Sequence, residues 1–337
     1  MDLFTNITGA LGRVWLAPMT GVSDLPFRLT AARLGARYMA TEMVAGEALL
    51  GQRPEAIRRA AVGEGLPVMV VQLVGADPAV MAGAARTACA AGAEVVDLNF
   101  GCPAKSVTGI ACGSALMREP ARVESIVAAV CAAVDAPVTV KMRLGWDMAE
   151  CNAPELAARA EAAGARAITI HARTRAQFYA GTADWAAVRA VRERVGVPVI
   201  ENGDIVDATT ARAALAASGA QAVMIGRGAL GRPWIAAVIE ARLQGRAAAE
   251  PGAGERLAIV LDHLALSVAF HGPRIGVLTF RKHLAAYVEA AGAPADAAAR
   301  RALRARLCRL ETASEIETEL RAAWTGRRAD MVERLAA

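Results

Sequence analysis

No stretch of the 337-residue sequence approaches the ~20 unbroken apolar residues a membrane span needs. A hydrophobic fraction of 55% and a mean hydropathy of +0.32 therefore reflect abundant alanine rather than lipid-facing segments. Met1-Asp2-Leu3-Phe4-Thr5 has no basic stretch leading into an apolar core, so a secretory leader is not expected and a cytoplasmic protein is. The six cysteines (89, 102, 112, 131, 151 and 308) form no Cys-x-x-Cys pair and have no histidine at zinc spacing, which argues against disulfides and structural metal. Cys89 and Cys131, in alanine-rich helical text, read as small buried hydrophobes. There is no Gly-x-Gly-x-x-Gly fingerprint, hence no dinucleotide domain of that kind.

Lysine is the scarcest charged residue. Of 38 Lys and Arg, only Lys105, Lys141 and Lys282 are lysine. Arginine evidently serves wherever a generic cation suffices. A compact ammonium is not interchangeable with a guanidinium at a tight site, so the three lysines mark positions of interest. The net charge of +5 and pI near 9.1 permit a polyanionic partner without demonstrating one.

What the sequence does have is a repeating alternation of short apolar runs and helical patterns. Strands are predicted near 14–18, 38–43, 68–73, 94–99, 137–142, 167–171, 198–202 and 222–226. Asp77-Pro78, Glu119-Pro120, Ala153-Pro154 and Asp184-Trp185 mark helix starts, and Gly92, Gly164 and Gly219 mark helix stops. Eight such units imply an α/β fold, a (β/α)₈ TIM barrel over residues 1–244, with parallel strands buried on both faces. Residues 245–254 read as a linker, and 255–337 as a separate all-helical domain.

Barrels of this kind place their sites at the C-terminal ends of the strands. Those ends carry Pro18-Met19, Glu42, Gln72, Asn99, Lys141, His171 with Arg173, Asn202-Gly203-Asp204 and Gly226-Arg227. The glycines after strands 7 and 8, with Arg227, suit a phosphate, although Gly203 and Gly228 also fit simple turns. Lys141 ends an apolar strand, where its charge needs a partner. The anionic edge of a reduced flavin would provide one, and Gln72 offers a donor and an acceptor to the same ring edge. His171 fits either that edge or the phosphate side, or a structural role. Gly101 and Pro103 bracket Cys102, presenting its thiol over the barrel mouth. A thiol of ordinary pKa about 8.5 is mostly protonated at pH 7 and is a proton donor. Cys112 is a second cysteine near this loop.

Asn99-Phe-Gly-Cys-Pro-Ala-Lys-Ser-Val107 followed by Gly113-Ser-Ala-Leu116 resembles the tRNA-dihydrouridine synthases, especially the bacterial B-type. So do Ala17–Asp24, Val140–Trp146, His171–Arg175, Asn202–Ile205 and Ile225–Trp234, and Phe280-Arg281-Lys282-His283 extends the likeness into the helical domain. The resemblance implies FMN held by Pro18, Met19, Thr20, Gln72, Lys141, Asn202, Gly203, Asp204, Gly226 and Arg227. It further implies Cys102 as proton donor, Asn99 against the target base, and NADPH as reductant, binding transiently at the flavin. Gly109-Ile110 and Cys112 fall in a variable part of the active-site loop. Glu201 stands where relatives often carry a smaller residue.

On that reading the reaction reduces the C5=C6 bond of uridine in tRNA: hydride adds at C6, and Cys102 protonates C5. The base must first leave its stack, which requires a grip on the phosphate backbone. Candidates are Arg173 and Arg175 at the rim and Arg281 and Lys282 in the helical domain; the Arg300–Arg309 cluster fits RNA contact or a solvated helix face. A monomer without metal is expected. Two rivals remain open: a free-pyrimidine oxidoreductase of the dihydroorotate dehydrogenase type, and a regulatory protein that keeps the barrel without turnover.

Overall fold

The computed structural model describes residues 7–104, 112–292 and 296–324. Eight parallel strands run β1 (Val14–Leu16), β2 (Ala40–Ala45), β3 (Val70–Val74), β4 (Val95–Phe100), β5 (Val138–Arg143), β6 (Ala167–His171), β7 (Val199–Asn202) and β8 (Ala222–Ile225). Each pairs with its sequence neighbour from β2 to β8, and β1 pairs with β8. A parallel bridge between Leu16 and Met39, with Leu16 N–H donating to Tyr38 O at 2.9 Å, joins β1 to β2 and closes the (β/α)₈ barrel.

Alternation along each strand decides which side chains meet inside. The lower barrel is filled by Trp15, Tyr38, Val70, Val95, Ala167, Ile200 and Ala222. Trp15 stacks on Tyr38 with ring centroids 3.8 Å apart, plugging the N-terminal end. The intervening residues, such as Val96, Val140, Ile168 and Val199, face outward and bury themselves under the helices. A barrel with both faces covered thus explains why the strands read as apolar runs. Further up, the inward positions become polar: Gln72, Asp97 and Thr139, then Asn99, Lys141, His171 and Asn202. Register places Asn99 beside Lys141 and His171 beside Asn202.

The helix signals operate as local chemistry predicts. Asp77 caps α5 (Pro78–Ala90), its carboxylate accepting Val80 N–H at 2.9 Å. Pro120 starts α6 (Pro120–Ala133), and Ala153 and Pro154 start α7 (Ala153–Ala162). Asp184 accepts Ala187 N–H at 3.1 Å, but the chain first makes a 3₁₀ turn, Ala186–Val188, before α8 (Arg189–Arg194). α9 (Ala208–Ser218) ends on Gly219 at φ 69°, a conformation that favours glycine. Earlier helices are the short α1 (Ile7–Ala10), α2 (Leu25–Arg33), α3 (Gly46–Leu50) and α4 (Pro54–Arg59). Cys89 and Cys131, on α5 and α6, are only partly buried and pack against the hydrophobic core rather than within it.

α10 (Ile235–Leu243) closes the barrel's helix ring, and α11 (Ala253–His271), α12 (Pro273–Ala291), α13 (Ala297–Leu307) and α14 (Ala313–Trp324) follow. These last four share a core of Val260, Phe280, Leu284, Leu303 and Leu320, which Trp234 and Val238 join from the barrel side. In the intervening segment Glu250 ties the two together, pairing with Arg232 and Arg256 and accepting Trp234 Nε1–H at 3.2 Å. No helix among the described residues is long and apolar enough to cross a membrane.

Candidate active site

A cavity of about 1480 Å³ opens at the C-terminal ends of the strands. Pro18, Met19, Thr20, Gln72, Asn99, Cys102, Lys141, His171, Arg173, Asn202, Gly203, Asp204, Gly226 and Arg227 all line it. Cys112 also faces it. Arg175, Arg281 and Lys282 do not. Lys105 and the Gly109-Ile110 stretch lie outside the described residues.

The wall beneath Cys102 is a chain of hydrogen bonds built from inward strand positions. Thr139 Oγ1 and Gln72 Nε2 each donate to the Asp97 carboxylate at 2.6 Å. Gln72 Oε1 then accepts Asn99 Nδ2–H at 2.8 Å. Asn99 Oδ1 accepts the backbone N–H groups of Gly101 at 3.0 Å and Cys102 at 2.9 Å. From the other side, Ser114 donates through both N–H (3.1 Å) and Oγ (2.9 Å) to Cys102 O. Burial raises the Asp97 pKa even against these bonds and the Lys141 charge. The loop holding Cys102 is thereby fixed by its backbone, and the thiol is left half-buried in the cavity wall.

Lys141 Nζ donates to Asn202 Oδ1 at 2.9 Å, and Asn202 Nδ2 donates to Met224 O at 2.7 Å, so β5, β7 and β8 are linked at the cavity floor. Burial, then the neighbouring Arg143 guanidinium, bring the Lys141 pKa down to about 8, against the pull of Asp97 and Glu201. Burial amid Lys141, Arg143, Arg173 and Arg227 lowers that of His171 to about 2, so its imidazole is neutral. His171 lies toward the β6–β7 side, its Nε2 3.5 Å from Arg173.

The loops after β7 and β8 form one corner of the cavity. Gly203 sits at φ 144°, where a Cβ would stand 2.7 Å from that of Ala183. Asp204, at φ 53°, accepts Arg173 NH2 at 2.6 Å and Ala183 N–H at 2.8 Å, with Arg227 at 3.5 Å. Burial would raise its pKa, but the bonds from Arg173 and Ala183 hold it below the ordinary carboxylate value. Gly226 has open space where its side chain would be, and Arg227 is more than half exposed beside it.

The expected backbone-gripping arginines are placed differently from the sequence reading. Arg173 is buried, spending its guanidinium on Asp204, Ala180 O and Gly181 O, so it stiffens the cavity wall instead of reaching out from the rim. Arg175 stacks over Trp146 at 4.4 Å and Phe178 at 5.1 Å, with Nε buried. Arg281 donates to Leu310 O at 3.1 Å within the helical bundle. Lys282 is exposed, and its Nζ donates to Gly21 O at 3.0 Å, next to Thr20 on the loop after β1. In the Arg300–Arg309 cluster, Arg304 pairs with Glu289 at 2.9 Å and Arg306 with Glu319 at 2.5 Å.

Arg143 was missed. Its side chain is buried, donating to Gly101 O at 2.8 Å and to Thr174 O and Phe178 O at 2.9 Å, so it clamps the Cys102 loop to the loop after β6. Burial brings its pKa down to about 10. The available signal was period two: two residues beyond Lys141 on one strand, it must point the same way. Tyr179, from that β6 loop, lies under the guanidinium of Arg227 at 5.0 Å and was not foreseen either.

Residues 15–325 match a family model described as dihydrouridine synthase. A probable tRNA-dihydrouridine synthase of Rhodobacter capsulatus is 51% identical over 292 residues, 86% of this chain and 90% of its own. The tRNA-dihydrouridine synthase B of Pseudomonas putida is 44% identical over 275 residues, 81% of each chain. Among solved structures, a 2-naphthoyl-CoA reductase is similar in fold, with a TM-score of 0.52 at 11% identity over 69% of this chain and 50% of its own. This chain belongs to the dihydrouridine synthase family.

Proposed function

We propose that this enzyme reduces the C5=C6 bond of uridine in tRNA, using FMN as cofactor and NADPH as reductant, with Cys102 as the proton donor. The observation that carries the assignment is the Cys102 thiol, held by its backbone over a cavity whose floor is cationic.

The residues present fit FMN. Gly203, Asp204, Gly226 and Arg227 form a corner with room for a phosphate, where a substituent on Gly203 would collide with Ala183. Lys141, mounted on Asn202 at the floor, would hold the electron-rich N1 and C2 carbonyl edge of the reduced ring. Gln72 and the Pro18–Thr20 segment border the same space. When bound, reduced FMN supplies hydride to C6 of the base. The chain's own task is then to protonate C5 and to keep competing water away. Asn99 and Ser114 fix the Cys102 loop, so the thiol proton can be aimed at C5 without reorganisation. Asn99 holds that turn through its acceptor oxygen, which two backbone N–H groups use, and it lines the cavity with a second Nδ2–H left to meet the base.

We assign residues 1–244 to catalysis and 255–337 to tRNA binding. Lys282, exposed beside the cavity mouth, remains the foremost phosphate contact from the helical side. Arg301 and Arg309 are exposed and available on α13 and just beyond it. We place the enzyme in the cytoplasm, where its tRNA substrate and NADPH are found.

The test is to incubate purified, FMN-loaded protein with NADPH and tRNA from cells that make no dihydrouridine. Dihydrouridine should form in proportion to NADPH consumed, and weaken steeply with salt. NADPH turnover with orotate or fumarate but not with tRNA would establish the small-pyrimidine rival instead. A colourless protein that cannot be reconstituted with FMN would favour the regulatory one.

A further inference from the structure

Three of the chain's four histidines converge outside the lining of the Cys102 cavity. His263 and His271 come from α11 and His283 from α12, and they meet Asp24, the residue that caps α2. One ligand atom from each of Asp24, His263 and His283 falls within 4.8 Å of the others, and all three residues are buried. His263 Nδ1 lies 3.0 Å from Tyr287 OH, which leaves Nε2 as its free nitrogen. That Nε2 and His283 Nε2 are both buried with no hydrogen-bond partner. Asp24 is oriented by Phe27 N–H at 3.0 Å on one oxygen and by His271 Nε2 at 2.9 Å on the other. Aromatic rings seal the cluster: Phe27 stacks on His283 at 5.5 Å, and Phe280 meets His263 edge-on at 5.0 Å.

A pair of unpartnered imidazole nitrogens facing a carboxylate in an apolar pocket is an unfavourable arrangement without something between them. A divalent cation would satisfy all three at once. The ligands are nitrogen and oxygen only, which suits zinc, and three protein ligands leave one tetrahedral position for water. The contacts behind them are those that metal-bound side chains use: Tyr287 OH on the far nitrogen of one histidine, and His271 on the carboxylate.

We propose that Asp24, His263 and His283 form a buried zinc site joining the loop after β1 to the helical domain. This differs from the absence of metal expected from the sequence. Asp24 ends the segment that begins with Pro18, Met19 and Thr20 at the cavity, and Lys282 Nζ holds Gly21 O on the same segment. The cation would fix the position of the helical domain against the mouth of the barrel.

The test uses full-length, FMN-loaded protein without an affinity tag, prepared without chelators and incubated with zinc or cobalt sulfate. After desalting, elemental analysis should find about one metal per chain. Zinc should raise Tm in the wild type but not in His283→Gln or Asp24→Asn. The cobalt form should show tetrahedral visible bands without sulfur-to-cobalt charge transfer. Because that spectrum is read on the wild type, it decides the matter even if the variants fold poorly. Wild-type protein that stays metal-free, equal retention by the variants, or a thiolate charge-transfer band would each overturn the site. None of these outcomes bears on uridine reduction, which is assayed separately.

Discussion

Asn99 and Cys102 are bound to each other across a four-residue turn: the Asn99 carboxamide oxygen accepts the Cys102 backbone N–H at 2.9 Å. The same side chain reaches down to Gln72 at 2.8 Å, so the loop's position depends on a strand-borne network that ends at Asp97 and Thr139. Asn99→Ala removes the acceptor of two loop N–H groups and leaves the thiol mispositioned. Turnover of tRNA uridine should fall by about 10- to 100-fold, the penalty for small misplacement of a reacting group. Flavin reduction by NADPH, which does not need the thiol, should be unchanged. Asn99→Asp keeps the acceptor and should recover part of the loss; equal defects in both half-reactions would show that Asn99 supports the flavin site instead.

Cys102→Ala should leave the flavin reducible by NADPH but slow uridine reduction by roughly 10²–10⁴-fold, the usual contribution of a positioned acid. Stopped-flow absorbance separates the halves: bleaching on NADPH addition stays normal, and reoxidation by tRNA becomes slow. Slow bleaching in the variant would assign the thiol to the reductive half.

Most of this architecture was legible in the sequence because strand alternation and helix-start chemistry are local. All eight strands lie within two residues of their expected limits, and the inward position of Lys141 followed from its place at the end of an apolar run. The internal pairing of Arg173, Arg175 and Arg281 was not legible. In a chain where nearly every cation is arginine, nothing local distinguishes a guanidinium bonded to carbonyls from one facing solvent. The cluster at Asp24 was hidden for another reason: its members come from two helices and from a loop more than 200 residues earlier, so no spacing pattern records it.

Lys141 makes cofactor affinity pH-dependent. In the cofactor-free chain its pKa is about 8 against an ordinary 10.5, because burial disfavours the ammonium. A reduced flavin with negative charge on its ring edge binds the protonated lysine better, so the bound state takes up a proton. Affinity for reduced FMN should therefore be full below pH 8 and fall as pH rises through about 8. Lys141→Met should bind more weakly at pH 7 and lose this dependence, as read by fluorimetric titration of the cofactor under anaerobic conditions. An unchanged pH profile in the variant would place the titrating group elsewhere.

Arg143 joins Gly101 O on the Cys102 loop to Thr174 O and Phe178 O on the loop after β6. Arg143→Met keeps much of the packed volume but leaves three carbonyls without their charged donor. Each such bond contributes on the order of 1.5–3 kcal/mol, so a loss of about 3 kcal/mol or more is expected after relaxation. At roughly 2–4 °C per kcal/mol, thermal unfolding should shift down by about 6 °C or more. Arg143→Lys cannot reproduce the planar fork and should recover only part of that shift. The functional consequence should resemble that of Asn99→Ala, since both side chains act on the Cys102 turn: uridine reduction falls while flavin reduction persists. Differential scanning calorimetry and the two half-reactions measure these effects independently, and an Arg143→Met enzyme with wild-type Tm would remove the clamp from the account of this loop.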